Sequence, residues 1–396
     1  MSERLFIGQF NDSYKPIMDG VGVCAENYAR WINANHGKGV AIVPSQPRFE
    51  DRDEFEVIRF ASLPFVFMHP YRVGVPWMSP SVGSRLRDLK FDLVHSHTPF
   101  VGGRMARRAA RYHHIPHVTT FHTKYRDDAM KILHNDRLAD EVVRRIVKFY
   151  RTVDAVWTPS ESTAQTLREY GFDGEVAVAP NGSDMAIPTG SERESLRRRG
   201  EELCGLRPAE FMLLFVGQHR WEKNVRLIIN AISRLDGMLR EEGATKPFRM
   251  VFAGDGYAAT AMRAMCEDLG IARRTAFLGK IVDRDALQSL FARADLFVFP
   301  SIYDNAPLVM REASAFSLPT VVAAGSATAE IVRDGENGFI TEDEPEAMAR
   351  RLKLLMGQPE LLRRAGQGAT RTIYLSWEEI VDWAADQYRA IIDRFV

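Results

Sequence analysis

Short apolar runs recur along this chain, and longer stretches of helical periodicity lie between them. That alternation constrains the fold more than any other feature. A strand that is apolar throughout has no polar face to give to water, so it must be covered on both sides. A strand-helix-strand succession of this kind calls for a parallel sheet with helices on its two faces. In the first half, residues 5–8, 40–43, 93–95, 117–121, 155–158 and 176–179 read as buried strands, with amphipathic stretches at 25–35, 104–113 and 140–150.

A second series opens after Pro180-Asn181-Gly182-Ser183-Asp184 and the charged stretch 192–202. Its strands are expected at 211–216, 249–253, 275–278, 296–299 and 320–323, and its helices at 225–234, 258–269, 285–293 and 308–316. The boundary is therefore placed near residue 182. This gives an N-terminal domain over 1–182, a C-terminal domain over 183–372, and a closing segment over 373–396 whose amphipathic helix is expected to pack back on the first domain. Two open parallel sheets in series lead to the expectation of a ligand cleft facing both. Ligands of such sheets sit outside the carboxyl ends of the strands, so the loops that follow the strands are where chemistry is to be sought.

Composition narrows the classes. Lys plus Arg equals Asp plus Glu at 52 each, which gives no global electrostatic footprint for nucleic acid. The three cysteines, Cys24, Cys204 and Cys266, form neither a metal pair nor a disulfide framework, which favours a reducing, cytoplasmic setting. The first residues run directly into a strand-like segment, and no apolar run is long enough to span a bilayer, so any membrane contact is expected to be peripheral.

Five loops carry candidate chemistry. Asp19-Gly20-Val21-Gly22-Val23 precedes the expected helix at 25–35, where Gly20 and Gly22 would let a phosphate approach a helix N terminus; a tight turn needing glycine accounts for the same residues. His122 follows the strand at 117–121, and His95 and His97 are placed alike. No Glu or Cys completes a zinc spacing with them, so no metal is expected, and a satisfied loop histidine remains the alternative. In Gly217-Gln218-His219-Arg220-Trp221-Glu222-Lys223-Asn224, Arg220 and Lys223 can reach anionic oxygens at a strand mouth, and a solvated basic loop is the alternative. Gly254-Asp255-Gly256 is a further glycine turn. The most specific run is residues 300–313, which sets Asp304 in a loop and Glu312 inside the next helix, after Leu308. Two acceptor-only carboxylates so spaced suit two sets of sugar hydroxyls.

Taken in order, these pieces resemble glycosyltransferase family 4, the retaining enzymes with two Rossmann-like domains in the GT-B arrangement. The resemblance rests on Gly217 to Asn224, Gly254-Asp255-Gly256, the acid-x7-Glu pair Asp304 and Glu312, Leu318-Pro319-Thr320-Val321-Val322-Ala323, and Asp334-Gly335-Glu336-Asn337-Gly338-Phe339. It implies that Gly20 and Gly22 line the donor phosphate and that His122 touches the transferred sugar. Lys223 would hold the diphosphate, Glu312 the ribose and Asp304 the sugar hydroxyls. Lys280 would lie where backbone groups meet the base, with Arg220, Gly254 and Leu308 also among the donor-binding residues. The nucleotide sugar is then a substrate, UDP-linked in most of the family, and no cofactor or metal is implied. Asp51-Arg52-Asp53 matches the metal motif of another glycosyltransferase fold but reads here as solvated surface.

Three positions depart from the family pattern: Gln218 for an arginine beside Lys223, Asp304 for glutamate, and Pro307 for a glycine that would have donated an N–H. Arg220 is expected to compensate for the first. The resemblance is closest to a branch that glycosylates diacylglycerol, on Asn11-Asp12-Ser13-Tyr14-Lys15-Pro16, His97-Thr98-Pro99-Phe100 and Phe121-His122-Thr123-Lys124-Tyr125. A soluble sugar or metabolite acceptor is the alternative. A sugar-nucleotide epimerase and a non-catalytic nucleotide-sugar-binding protein are readings of other classes. Arg104, Arg107, Arg108 and Arg111 share a helix face by spacing. With Arg85, Arg87 and Lys90, and with Phe65, Phe67, Met68 and Trp77 nearby, they are expected to meet an anionic lipid surface; a solvated basic helix is the plainer reading.

Overall fold

The computed structural model describes residues 4–17, 19–66, 70–243 and 247–395. Its contacts divide the chain into two compact units, Met1–Gly182 with Trp377–Val396, and Ser183–Ser376. In chain order the first unit runs β1 (Leu5–Phe10), α1 (Gly20–Trp31), β2 (Gly37–Pro44), β3 (Glu56–Phe60), β4 (Ser62–Pro64), β5 (Arg72–Gly74), α2 (Pro80–Asp88), β6 (Leu93–Ser96), α3 (Val101–His113), β7 (His117–Thr120), α4 (Tyr125–Leu133), α5 (Asp136–Tyr150), β8 (Ala155–Thr158), α6 (Glu161–Glu169) and β9 (Val176–Val178). Seven strands form one sheet in the order β3-β2-β1-β6-β7-β8-β9, with every neighbouring pair parallel. β4 and β5 make a separate antiparallel hairpin.

The apolar runs are buried on both faces, as their lack of a polar side requires: Val40, Ala41, Ile42 and Val43 are all fully buried. α1 lies directly on β2, because a Cβ at Gly39 would come within 2.1 Å of the Ala29 carbonyl oxygen. β3 escapes the sequence reading because Glu56 and Arg59 interrupt its apolar pattern. Glu56 is bound at this sheet edge by Lys38 at 2.9 Å and Arg85 at 2.7 Å.

The second unit runs α7 (Gly190–Cys204), β10 (Phe211–Val216), α8 (Val225–Glu241), β11 (Phe248–Ala253), α9 (Ala259–Asp268), β12 (Thr275–Gly279), α10 (Arg284–Arg293), β13 (Leu296–Val298), α11 (Leu308–Ala315), β14 (Thr320–Ala323), β15 (Phe339–Thr341), α12 (Pro345–Met356) and α13 (Pro359–Thr372). Its six strands are again all parallel, in the order β12-β11-β10-β13-β14-β15. The charged stretch at 192–202 is no loose boundary. It forms α7, opened by a capping box between Thr189 and Glu192 and held to α10 by the fully buried Arg293, which reaches Glu201 at 3.0 Å and the Glu210 carbonyl at 2.7 Å.

The last helix, α14 (Trp377–Phe395), belongs to the first unit. It buries Trp377, Ile380, Val381, Ala384, Ala385, Tyr388 and Ile391 along one stripe. His36 binds Asp382 at 2.7 Å, and Tyr388 stacks on Trp157 with ring centroids 5.2 Å apart.

Each sheet reverses its strand order once, between β1 and β6 in the first unit and between β10 and β13 in the second. At such a reversal the connections leave in opposite directions and open a crevice at the carboxyl ends of the strands. The loops there are 11–19 and 97–100 in one unit, and 217–224 and 299–307 in the other.

Candidate active site

The 217–224 loop is fixed by backbone bonds before any ligand is considered. The Gly217 N–H donates to Ala253 O at 3.0 Å, and the His219 N–H donates to Asp255 O at 2.9 Å. Gly254 sits at φ 143°, and a Cβ there would stand 1.9 Å from the Gly217 carbonyl oxygen, so this crossing of two loops admits glycine alone. Asn224 is left-handed at φ 58° and ties the loop to its neighbours by donating to Pro300 O at 3.3 Å and Asp343 Oδ1 at 2.6 Å.

This frame delivers Lys223 to Asp304. The Lys223 ammonium donates to Asp304 Oδ1 and lies 5.9 Å from the Phe299 ring centroid. Both side chains are only 16% exposed, and Asp304 Oδ2 has no hydrogen-bond partner among the described residues. Glu312, inside α11, is 14% exposed and accepts from Arg284 Nη1 at 3.1 Å, while Arg284 also pairs with Asp184. Burial pushes the Glu312 carboxyl above its usual range, and the Arg284 guanidinium opposes that rise. Arg284 was not singled out in the sequence, since it opens α10 without a motif of its own. Leu308 begins α11 behind Pro307, and no side chain caps that terminus.

Other expected donor residues lie as follows. Arg220 stands in the same loop as Lys223. Its guanidinium is held by its own loop, on Gln218 at 3.3 Å and Glu222 at 3.4 Å, over the Tyr257 ring. Lys280 is exposed after β12, and the nearby backbone bond runs from the Gly254 N–H to Gly279 O at 2.8 Å. The expected loop at 19–23 is the first turn of α1. Asp19 caps it, accepting from the Gly22 N–H at 2.7 Å, so the chain's own carboxyl sits at the terminus where an anion was expected. Neither glycine has a positive φ, and a Cβ at Gly20 would meet open space.

In the first unit His122 is half-buried past β7. Its Nε2 lies 3.3 Å from His97 Nδ1, and His97 Nε2 lies 2.9 Å from Gln9 Oε1. Burial pushes the His122 imidazolium down to about 3, so the ring is neutral at pH 7. The acids of Asp51-Arg52-Asp53 are not solvated surface. The Asp53 side chain is 1% exposed and pairs with Lys15 at 2.7 Å, and Arg59 grips Asp51 at 2.7 and 2.8 Å. Among the described residues no three His, Cys, Asp or Glu side chains are grouped to hold a metal ion, and no helix is long and apolar enough to cross a membrane.

The family comparison joins these two halves. A model described as Glycosyltransferase Family 4 matches residues 18–186, and one described as Glycosyl transferases group 1 matches residues 205–372. The chain belongs to glycosyltransferase family 4. Among similar proteins is the alpha-monoglucosyldiacylglycerol synthase of Streptococcus pneumoniae, 25% identical over 90% of this chain and 79% of the relative. Another is a GDP-mannose-dependent alpha-mannosyltransferase of Corynebacterium glutamicum, 25% identical over 84% and 75%. The crystal structure of Anabaena HepE in complex with UDP superposes with a TM-score of 0.76 at 18% identity, covering 98% of this chain and all of the other. The glycosyltransferase thus has the two Rossmann-like parallel-sheet domains of the GT-B fold expected from its sequence.

The basic face departs from the spacing argument. On α3, Arg104, Arg108 and Arg111 are exposed, but Arg107 turns inward, 5.7 Å from the Phe149 ring and 3.3 Å from Thr152. Phe67 and Met68 lie outside the described residues, and Phe65 is half-buried.

Proposed function

We propose that this glycosyltransferase moves a hexose, with retention of configuration, from a UDP-linked donor to a hydroxyl of a diacylglycerol-type lipid at an anionic membrane surface. The donor half rests on one observation, the Lys223–Asp304 pair at the reversal between β10 and β13. An ammonium has three N–H donors, and Asp304 engages one, which leaves two for diphosphate oxygens. The unpartnered Asp304 Oδ2 accepts from a hexose hydroxyl, and Glu312 accepts from the ribose. The first N–H groups of α11, at Leu308 and Val309, lack helical acceptors and add positive charge near the leaving phosphate. Pro307 contributes none. His122, neutral, is the residue of the first unit that the family resemblance assigns to the sugar.

In the reaction the bond from the anomeric carbon to the phosphate oxygen breaks. The bond to the acceptor oxygen forms on the same face, and the hydroxyl proton passes to the departing phosphate oxygen. Lys223 and the helix terminus stabilise the charge that builds there, so no divalent ion is required. The name of the Streptococcus relative and the UDP in HepE support this donor and acceptor, while the Corynebacterium relative makes GDP the competing base. The deciding assay offers UDP- and GDP-hexoses with and without diacylglycerol, in EDTA. Lipid-dependent transfer from the UDP donor is expected. Transfer only to soluble sugars, or activity abolished by EDTA and restored by manganese, overturns the corresponding part.

The lipid half rests on exposed apolar residues. The β4–β5 hairpin and the turn after it present Leu63, Val66, Val73, Trp77 and Met78, with Val66 85% and Trp77 76% exposed. α2 and β5 pack on α3, which carries the exposed Arg104, Arg108 and Arg111, and Arg87 and Lys90 are exposed on and just after α2, whereas Arg85 is bound to Glu56. Each basic residue near an anionic surface adds about 1 kcal/mol. On this reading the enzyme is a peripheral protein on the cytoplasmic leaflet. It should co-sediment with phosphatidylglycerol vesicles at low salt and be released by high salt, and Trp77→Ala should weaken binding. No sedimentation at low salt removes the membrane reading and leaves a soluble acceptor.

A further inference from the structure

Three imidazoles stand in a row beneath the first sheet's carboxyl end. The His95 and His97 rings are 4.3 Å apart between centroids, and those of His97 and His122 are 5.5 Å apart and stacked. The inner two are fully buried. Each is held at both nitrogens. His95 Nε2 lies 2.8 Å from Thr120 Oγ1 and His95 Nδ1 lies 2.6 Å from the Tyr388 hydroxyl, while His97 is held between Gln9 and His122.

These contacts fix proton positions by chemistry. An amide oxygen only accepts, so with Gln9 Oε1 on His97 Nε2 that nitrogen carries the proton. His97 Nδ1 is then the lone-pair nitrogen and accepts from His122 Nε2–H. His122 is thereby held as the Nε2–H tautomer, with Nδ1 as its basic nitrogen. Turning the Gln9 amide over reverses the polarity of the whole row. The Gln9 amide nitrogen is buried without a hydrogen-bond partner among the described residues, and the Tyr388 hydroxyl holds the far end of the row, 2.6 Å from His95 Nδ1.

We propose that Gln9 and Tyr388 are positioning residues for His122: Gln9 acts through its hydrogen bond to His97 and Tyr388 through the His95 ring packed on His97, and together they fix the tautomer and ring orientation with which His122 meets the donor sugar. This gives the returning helix α14 a task beyond covering the sheet, since it carries the hydroxyl that holds His95. The inference rests on the reading of His122 as a sugar-contacting residue.

The test uses the full chain. Tyr388→Phe removes only the hydroxyl, and Gln9→Leu removes the acceptor from His97. Both should lower kcat by about 10- to 100-fold, the range for residues that orient a working histidine, with UDP affinity and thermal midpoint near wild type. Side-chain nitrogen NMR of ¹⁵N-histidine protein, with His122 assigned through His122→Asn, should show the Nε2–H tautomer in wild type and its loss in Gln9→Leu. A purely structural role would leave that signature unchanged. Transfer within twofold of wild type in both variants, or an unaltered His122 tautomer in Gln9→Leu, overturns the proposal. Full transfer by His122→Asn would instead remove the reading of His122, and the tautomer measurement would still report whether the row exists.

Discussion

Lys223→Ala should lose both UDP affinity and sugar transfer, the former by roughly 10- to 100-fold. A hydrogen bond to a charged group is worth about 1.5–3 kcal/mol, and an ammonium facing a diphosphate makes such bonds in a poorly hydrated pocket. The substitution also strands Asp304, a mostly buried carboxylate whose second oxygen already has no partner. Asp304→Asn separates the two roles. It keeps Lys223 and removes the anion that competes for its protons, so UDP affinity should hold or rise while transfer falls, because the hexose loses its acceptor. Lys223→Arg should not restore binding, since a planar fork does not fit the space beside Phe299 that a compact ammonium occupies. Titration calorimetry with UDP and a transfer assay check all three variants, with thermal melting as the control for folding. Wild-type UDP affinity in Lys223→Ala would take Lys223 out of the donor site.

Much of the scaffold behind this pair was legible in the sequence, for a physical reason. A doubly covered parallel strand has to be apolar along its length, and 155–158, 211–216 and 320–323 match the strands residue for residue. Edge elements are not bound by that rule. β3 keeps charges at the sheet margin, and β15 is too short to show a pattern. α1 was placed five residues late because Gly20 and Gly22 disfavour helix by propensity, and Asp19 capping overrides them. At the site, the loops were legible because chemistry-bearing residues cluster after strands, yet their pairings were not. Spacing cannot show that Arg220 folds back on Gln218 and Glu222, or that Arg284 arrives from α10 onto Glu312. The inward turn of Arg107 escaped for the same reason: helical periodicity assigns a face, and the Phe149 ring that draws this side chain in comes from another helix.

Acid should destabilise the first unit well before it damages the second. His95, His97 and His117 are buried and neutral, and desolvation pushes each imidazolium far below its ordinary value, to about 3 for His117. The unfolded chain takes up these protons below about pH 6.5, and the folded unit does not. Below that pH the unfolded state therefore binds more protons, and stability falls with falling pH down to the folded values, by about 1.4 kcal/mol per pH unit for each group. Between pH 7.5 and 5.5 the three together remove about 4 kcal/mol, a large share of the 5–15 kcal/mol that holds a domain folded. Asp12 and Asp19 act in the opposite sense, since burial raises their carboxyls and their protonation in the fold offsets part of this loss, so an Asp12→Asn, Asp19→Asn background isolates the histidines. The second unit carries a single histidine, His219, and should lose far less. Trp157, stacked on Tyr388 and 5.1 Å from the His95 ring, lets tryptophan fluorescence follow the first unit through a urea titration at each pH. A fluorescence midpoint that stays constant from pH 7.5 to 5.5 would show that these histidines take up protons in the fold as readily as in the open chain, and the neutral row beneath His122 would have to be abandoned with it.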